Sequence, residues 1–415
     1  MGYLSKEERD KRLGKVRKIM VEKELDICLV YYDEFNIGNG WYLTGWCPQF
    51  ESGAVLVPRE GEPMILGGPE SEPFAKLDSA ITETRNFPVF MVPDEEYPNA
   101  DIIDFPKLFA ELNSKLPLTP PSPLRGEDKG EGDKKGNSYA IKLGRVKRAG
   151  LVGAGRMPAD CYRQIKEGFI GVELIDITRE FVELRYIKSV WEISQIREAF
   201  KLADFCYEAM KEKVAAGVSE IEVAAAGEYA ARSKDASGFG FTAIVGSGKR
   251  SNAVVPTASA KKLVAGEMVM VGLAPKVQGY AGVVGDILPV SGSYTQKQKE
   301  CVKHLKEAFR LTKEQLVFGK TGREIDAPAR TYFQKQGLSR YLVCPFAHTI
   351  GLHEAESPFF GPNSSDIIKP GMAVCVDVSF FGHPEFNGAR IETGYEITEN
   401  GAVPFSSKMD KIFNE

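Results

Sequence analysis

Two runs near the C-terminal end alternate between apolar and polar positions. From Ala373 to Phe380, Val374, Val376, Val378 and Phe380 point one way, and Ala373, Cys375, Asp377 and Ser379 the other. From Ala389 to Ile397, Ile391, Thr393, Tyr395 and Ile397 share one face, and Arg390, Glu392, Gly394 and Glu396 the opposite one. Both runs read as strands. Further strands are predicted at Phe241–Val245, Met268–Leu273 and Val283–Val290. Ile193, Ile196, Phe200, Ala203, Tyr207 and Met210 step by three and four, which predicts a long helix entered near Ser189 and closed by Gly217. Ser219 with Glu222, and Thr321 with Glu324, are capping boxes that open two more helices, the second over Ile325–Gln336. Their recurrence hints at an internal duplication. Helices set apart from a largely antiparallel sheet make this half an α+β domain.

The N-terminal half has another rhythm. A helix is predicted over Arg12–Glu24, a buried strand over Asp26–Tyr32, strands at Gly53–Pro58 and Pro63–Leu66, a helix at Phe105–Leu116 and a strand at Arg148–Gly153. Strands alternating with helices predict an α/β domain, so we expect a smaller domain at 1–186 and a catalytic one at 187–415. Between Leu116 and Ser138 the chain is Pro, Gly and mixed charge with almost no apolar residue. Such a segment cannot bury enough surface to offset its ordering entropy, and reads as a disordered insertion.

Composition narrows the function classes. The 415 residues, 43% hydrophobic and 27% charged, fit a soluble two-domain protein. A net charge of −4 gives no footprint for nucleic acid or an anionic membrane. No run approaches the ~18 apolar residues of a membrane span, and the charged start Met1–Arg12 predicts no signal peptide. Seven scattered cysteines suit reduced thiols, hence a cytoplasmic protein.

The candidate chemistry lies between Pro345 and Glu392. That stretch holds His348, His353 and His383, three of the chain's 4 histidines, with Glu354, Glu356, Asp377 and Glu392. Two strands that each present a carboxylate, with a histidine on a nearby loop, could form a catalytic or metal-binding cluster. The other reading places these acids on the wet face of half-buried strands, although Ala373 and Cys375 on Asp377's side argue against a wet face.

Several motifs then fall in register. Lys188-x-x-x-Glu192-Ile193-x-x-Ile196-Arg197-x-Ala199, Gly217-x-Ser219-Glu220-x-Glu222-Val223-Ala224, Val245-Gly246-Ser247-Gly248, Gly266-Glu267, His348-x-x-Gly351-Leu352, Gly371-Met372 and Arg390-Ile391-Glu392 together resemble the pita-bread family. That family includes aminopeptidase P, prolidase, methionine aminopeptidase and creatinase. Tyr42-Leu43-Thr44-Gly45 resembles the smaller domain of prolidase and creatinase. The resemblance implies a pita-bread domain behind a creatinase-type N-terminal domain, and a homodimer in which the small domain of one subunit closes over the other's cleft.

It also implies a site, and there the chain departs. Family metallopeptidases hold two metal ions with two aspartates, a histidine and two glutamates. The aspartate positions fall at Gly272 and Val283, the histidine at His348, the first glutamate at Asp377 and the last at Glu392. Two nearby cations need more oxygen ligands than three side chains supply. Asp286 is three residues past Val283, an odd step that turns it to the opposite face unless Gly285 is bulged. A single manganese, zinc or iron ion on His348, Asp377 and Glu392 is the most such a site would hold. The family's substrate-contacting histidine falls at Thr257 and its later histidine at Ala355, with Glu356 matching the acid that follows. His353 either replaces the missing imidazole or is a surface-loop residue.

The leading expectation is a metal-independent hydrolase of a C–N bond in a small amino-acid-like substrate. His348, Glu392, Asp377 and Glu356 are its acid–base candidates, and Arg390, His353 and Tyr280 its substrate-side ones. One alternative is a one-metal Xaa-Pro peptidase, acting on a short peptide. The other is a pseudoenzyme that binds a ligand without turnover.

Overall fold

The computed structural model describes residues 4–114 and 146–415, and the chain divides between Leu184 and Arg185, two residues before the expected boundary. The segment read as an insertion, 116–138, lies outside the described residues.

In the N-terminal unit a six-stranded sheet runs in the order Thr84–Asn86, Met64–Gly67, Gly53–Pro58, Ile27–Tyr32, Arg148–Val152, Glu173–Asp176. The central strands are buried along their whole length, which is why they read as unbroken apolar runs rather than alternating ones. Helices Lys6–Glu22 and Phe105–Ser114 stand where the periodicity placed them, with the first starting six residues earlier. Its N-cap is Ser5, whose side chain accepts from the Glu8 amide.

The C-terminal unit is built from α1 (Val190–Lys213), α2 (Glu220–Arg232), β1 (Ile244–Ser247), β2 (Met268–Leu273), β3 (Val284–Pro289), α3 (Gln296–Lys313), α4 (Gly322–Lys335), β4 (Ala347–Thr349), β5 (Glu356–Phe359), β6 (Ala373–His383), β7 (Asn387–Thr398) and β8 (Gly401–Pro404). The strands form one sheet in the order β5-β4-β6-β7-β3-β2-β1, with β8 on β7. Ser189, Ser219, Thr295 and Thr321 cap α1 to α4, each closing a reciprocal box with the residue three further on.

One face of β6 and β7 carries the core. Val374, Val376, Val378, Phe380, Ile391, Tyr395 and Ile397 pack with Phe309 of α3 and Phe333 of α4 in a single buried cluster. Alternation sends the other side chains to the opposite face. That face is buried as well, so the strands have no wet side.

Register then writes a row across the sheet. Asp377 pairs with Glu392, Glu392 with Gly285, and Gly285 with Gly272. Residues directly opposite one another share a face, so both carboxylates and both glycines line one surface. The β2–β3 ladder is regular from Val284–Leu273 to Pro289–Met268, and Gly285 forms no bulge. Beside the row, the loop after Tyr280–Ala281 presses on α1: a methyl group at Gly282 would sit 2.3 Å from Ala199 C and Phe200 N.

Candidate active site

His348 lies on β4, paired with Cys375 of β6, and so shares the face of Asp377 and Glu392. Its Nδ1 lies 3.1 Å from the Thr349 carbonyl oxygen. A carbonyl only accepts, so Nδ1 carries the proton in that contact and Nε2 faces the two glutamates. Nε2 is 3.4 Å from Glu392 Oε1 and 3.7 Å from Glu354 Oε1. The three groups form a cluster whose donor atoms all lie within 4.8 Å of one another. Glu354 comes from the bends that join β4 to β5, where its Cβ sits opposite Gly240, 2.8 Å from where a Cβ would stand there.

Asp377 faces a different partner. Arg390 Nε approaches its Oδ1 at 3.0 Å, a charge contact too poorly aligned for a hydrogen bond: both atoms are buried without one. A Cβ at position 285 would meet Arg390 Cδ at 3.3 Å and Glu392 Cβ at 3.1 Å. The bare backbone of Gly285 therefore gives the arginine stem room beside the row. Glu392 Oε1 is likewise buried and accepts no hydrogen bond.

Burial and mutual charge set the protonation of this cluster. Burial alone would lower the His348 pKa, but the Glu392 contact and the charges of Glu354 and Glu392 raise it to about 10. Burial and the adjacent Glu392 push Glu354 up to about 8. Burial lifts Asp377 to about 6 against the pull of Arg390. Burial would raise Glu392 too, yet the His348 contact and the Arg390 charge hold it below the usual carboxylate range. Burial and crowding thus favour the proton on Glu354, while His348 and Arg390 favour the charged form of Glu392 and Arg390 that of Asp377.

The remaining candidates lie elsewhere. Glu356 accepts from Lys188 Nζ at 2.7 Å and meets Arg185 Nε at 3.4 Å, all three buried; these cations hold its carboxyl low against the effect of burial. His353 acts on Glu356 through its charge and is not in the donor cluster found among the described residues. The Tyr280 hydroxyl donates to Glu192 Oε1 at 2.8 Å, and its ring meets Trp191 edge-on, which ties it to the start of α1. Asp286 takes the opposite face, as the odd step requires: it accepts from the Tyr207 hydroxyl at 2.6 Å. His383 stacks on Phe386, with ring centroids 4.3 Å apart. The three-ligand set expected from sequence thus changes at one member. Asp377 is on Arg390, and Glu354 is the second carboxylate within reach of His348.

Residues 194–399 match the model of metallopeptidase family M24, a stretch that lies wholly inside the unit carrying this cluster. The C-terminal unit belongs to metallopeptidase family M24. The M24 match agrees with individual relatives. An uncharacterized peptidase, YqhT of Bacillus subtilis, is 34% identical over 229 residues, 55% of this chain and 64% of that protein. A Xaa-Pro dipeptidase of Pyrococcus furiosus is 32% identical over 220 residues, 53% of this chain and 63% of that one. The matched stretch spans somewhat under two thirds of each. In three dimensions the likeness reaches further. The prolidase of Pyrococcus horikoshii superposes with a TM-score of 0.76 at 23% identity, over 95% of this chain and 97% of its own. A Xaa-Pro dipeptidase from Bacillus anthracis gives 0.74 at 23%, over 96% and 98%. The M24 unit therefore has the pita-bread fold, behind an N-terminal domain of the kind such chains carry, as the motifs implied.

A two-ion M24 centre does not fit the side chains present. Gly272 and Val283 bring no donor, and Asp286 is turned to Tyr207. A single ion does fit: His348, Glu354 and Glu392 converge, and Glu392 offers a buried oxygen that accepts no hydrogen bond.

Proposed function

We propose that this chain is a hydrolase that cleaves a C–N bond in a small peptide-like or amino-acid-like substrate, without a two-ion centre. The convergence of His348, Glu354, Asp377, Arg390 and Glu392 on one buried sheet face carries the reading. The M24 relatives support it, since several carry the name Xaa-Pro dipeptidase.

Hydrolysis of an amide needs a group to take a proton from water and pass it to the departing amine, and a group to polarise the carbonyl. Asp377 is the proton acceptor in this reading. Its carboxyl is raised to about 6, which keeps it ionised at neutral pH yet basic enough to work near that pH. Arg390 positions it. The group of His348, Glu354 and Glu392 faces the carbonyl. A bound divalent ion there would supply Lewis acidity; without one, the His348 imidazolium would supply the positive charge.

The test is turnover of proline dipeptides, creatine-like guanidino acids and ectoine-like cyclic amidines. At least one should be hydrolysed, with an acidic limb near pH 6 that disappears in Asp377→Asn together with on the order of 10²–10⁴-fold of kcat. A folded chain that binds these compounds and turns over none is a relic, and the reading fails. By resemblance we also infer a cytoplasmic homodimer.

A further inference from the structure

We propose that His348, Glu354 and Glu392 form a rebuilt site for one divalent transition-metal ion, with Glu354 as a ligand at a position where the pita-bread family has none. This inference deepens the hydrolase reading and rests on it only for its purpose.

Three observations, each geometric, support it. The first is spacing. Ligands about 2.1 Å from a tetrahedral ion stand about 3.4 Å apart, and His348 Nε2 lies 3.4 Å from Glu392 Oε1 and 3.7 Å from Glu354 Oε1. A charge-assisted hydrogen bond between imidazolium and carboxylate would instead draw the atoms to about 2.7–2.9 Å. The second is the orphaned acceptor. Glu392 is 2% exposed, its Oε1 accepts no hydrogen bond, and that atom faces the imidazole. Without an ion its nearest charged partner is the imidazole 3.4 Å away, outside hydrogen-bond geometry, and a bound cation would give this oxygen a direct partner. The third is orientation. Nδ1 of His348 is committed to the Thr349 carbonyl at 3.1 Å, the outer contact that metal-binding histidines commonly make and that leaves Nε2 as the ligand nitrogen.

Asp377, the third ligand expected from sequence, is set apart by Arg390 at 3.0 Å. One imidazole and two carboxylates with open positions suit manganese, zinc or iron in the divalent state.

The experiment is titration of the full-length, metal-stripped protein with Mn(II) and with Zn(II), followed by calorimetry and, for manganese, by electron paramagnetic resonance. One ion per chain is expected, with the six-line spectrum of an isolated manganese. Glu354→Gln, checked for native melting, should weaken binding at least about 10–100-fold, the loss usual for even an outer-shell partner. Asp377→Asn should keep the stoichiometry at one. Two ions per chain, an exchange-coupled spectrum, full affinity in Glu354→Gln, or no binding by the folded protein would each overturn the inference. The two readings fail separately. One ion bound with no substrate turned over sinks the hydrolase and spares the site, whereas chelator-resistant turnover without ion binding does the reverse.

Discussion

Glu356 and Asp286 show how little an acidic residue's name says about its task. Glu356 was a catalytic candidate because it matches the acid that follows the family's later histidine. It sits instead against Lys188 and Arg185, where its carboxylate compensates buried positive charge. Glu356→Gln should therefore cost about 3–5 kcal/mol, the usual penalty for breaking a buried ion pair, and denaturant unfolding would register it. A variant of unchanged stability that had lost turnover would return Glu356 to the catalytic set. Asp286 is the converse case. Burial raises its carboxyl to about 6, more than the Tyr207 hydrogen bond lowers it. Between about pH 4 and 6 the folded chain then keeps a proton that the unfolded chain has released. Its stabilising contribution is thus complete below about pH 4 and lost as pH rises through about 6. Asp286→Asn should flatten that dependence, gaining up to about 3 kcal/mol over wild type on going from pH 4 to pH 7. Urea midpoints of the two proteins across this range provide the check.

At the scale of elements, the row Asp377–Glu392–Gly285–Gly272 ties strand register to chemistry. Gly285→Ala would press on Arg390 and Glu392, costing about 1–3 kcal/mol. It should also shift the acidic limb of the pH–rate profile, because Arg390 sets the Asp377 proton; an unmoved limb would separate the two. Much of this row was legible beforehand. Alternation gave both faces of β6 and β7, and the two-residue period alone turned Asp286 away from the site. Capping boxes marked the starts of α2 and α4 because Ser/Thr with Glu three residues on is a local device. Glu354 was named in the candidate stretch, but its place beside His348 was not legible. Its motif position carries no ligand, and only the bends between His348 and β5 bring it back to the imidazole. The available signal was a carboxylate six residues after the histidine, inside a short connection that has to double back. Tyr280 misled for a related reason: the sequence does not reveal that its hydroxyl is taken by Glu192.

For the whole molecule, length and a change of rhythm predict two domains, and the chain divides into two compact units that part at Leu184. Several dispersed motifs in one order made the fold readable, whereas the chemistry depended on side-chain contacts that no motif encodes. The homodimer inferred by resemblance predicts a mass about twice 45.7 kDa by light scattering; a monomer at working concentration would refute it. The contact of Gly282 with α1 bears on protein engineering. A methyl group there would overlap the helix backbone at Ala199 and Phe200, so the segment leading into β3 can be exchanged with a relative's only if the donor also has glycine at that point. Restoring the second aspartate, Val283→Asp, on such a segment would otherwise displace the very strand that follows it.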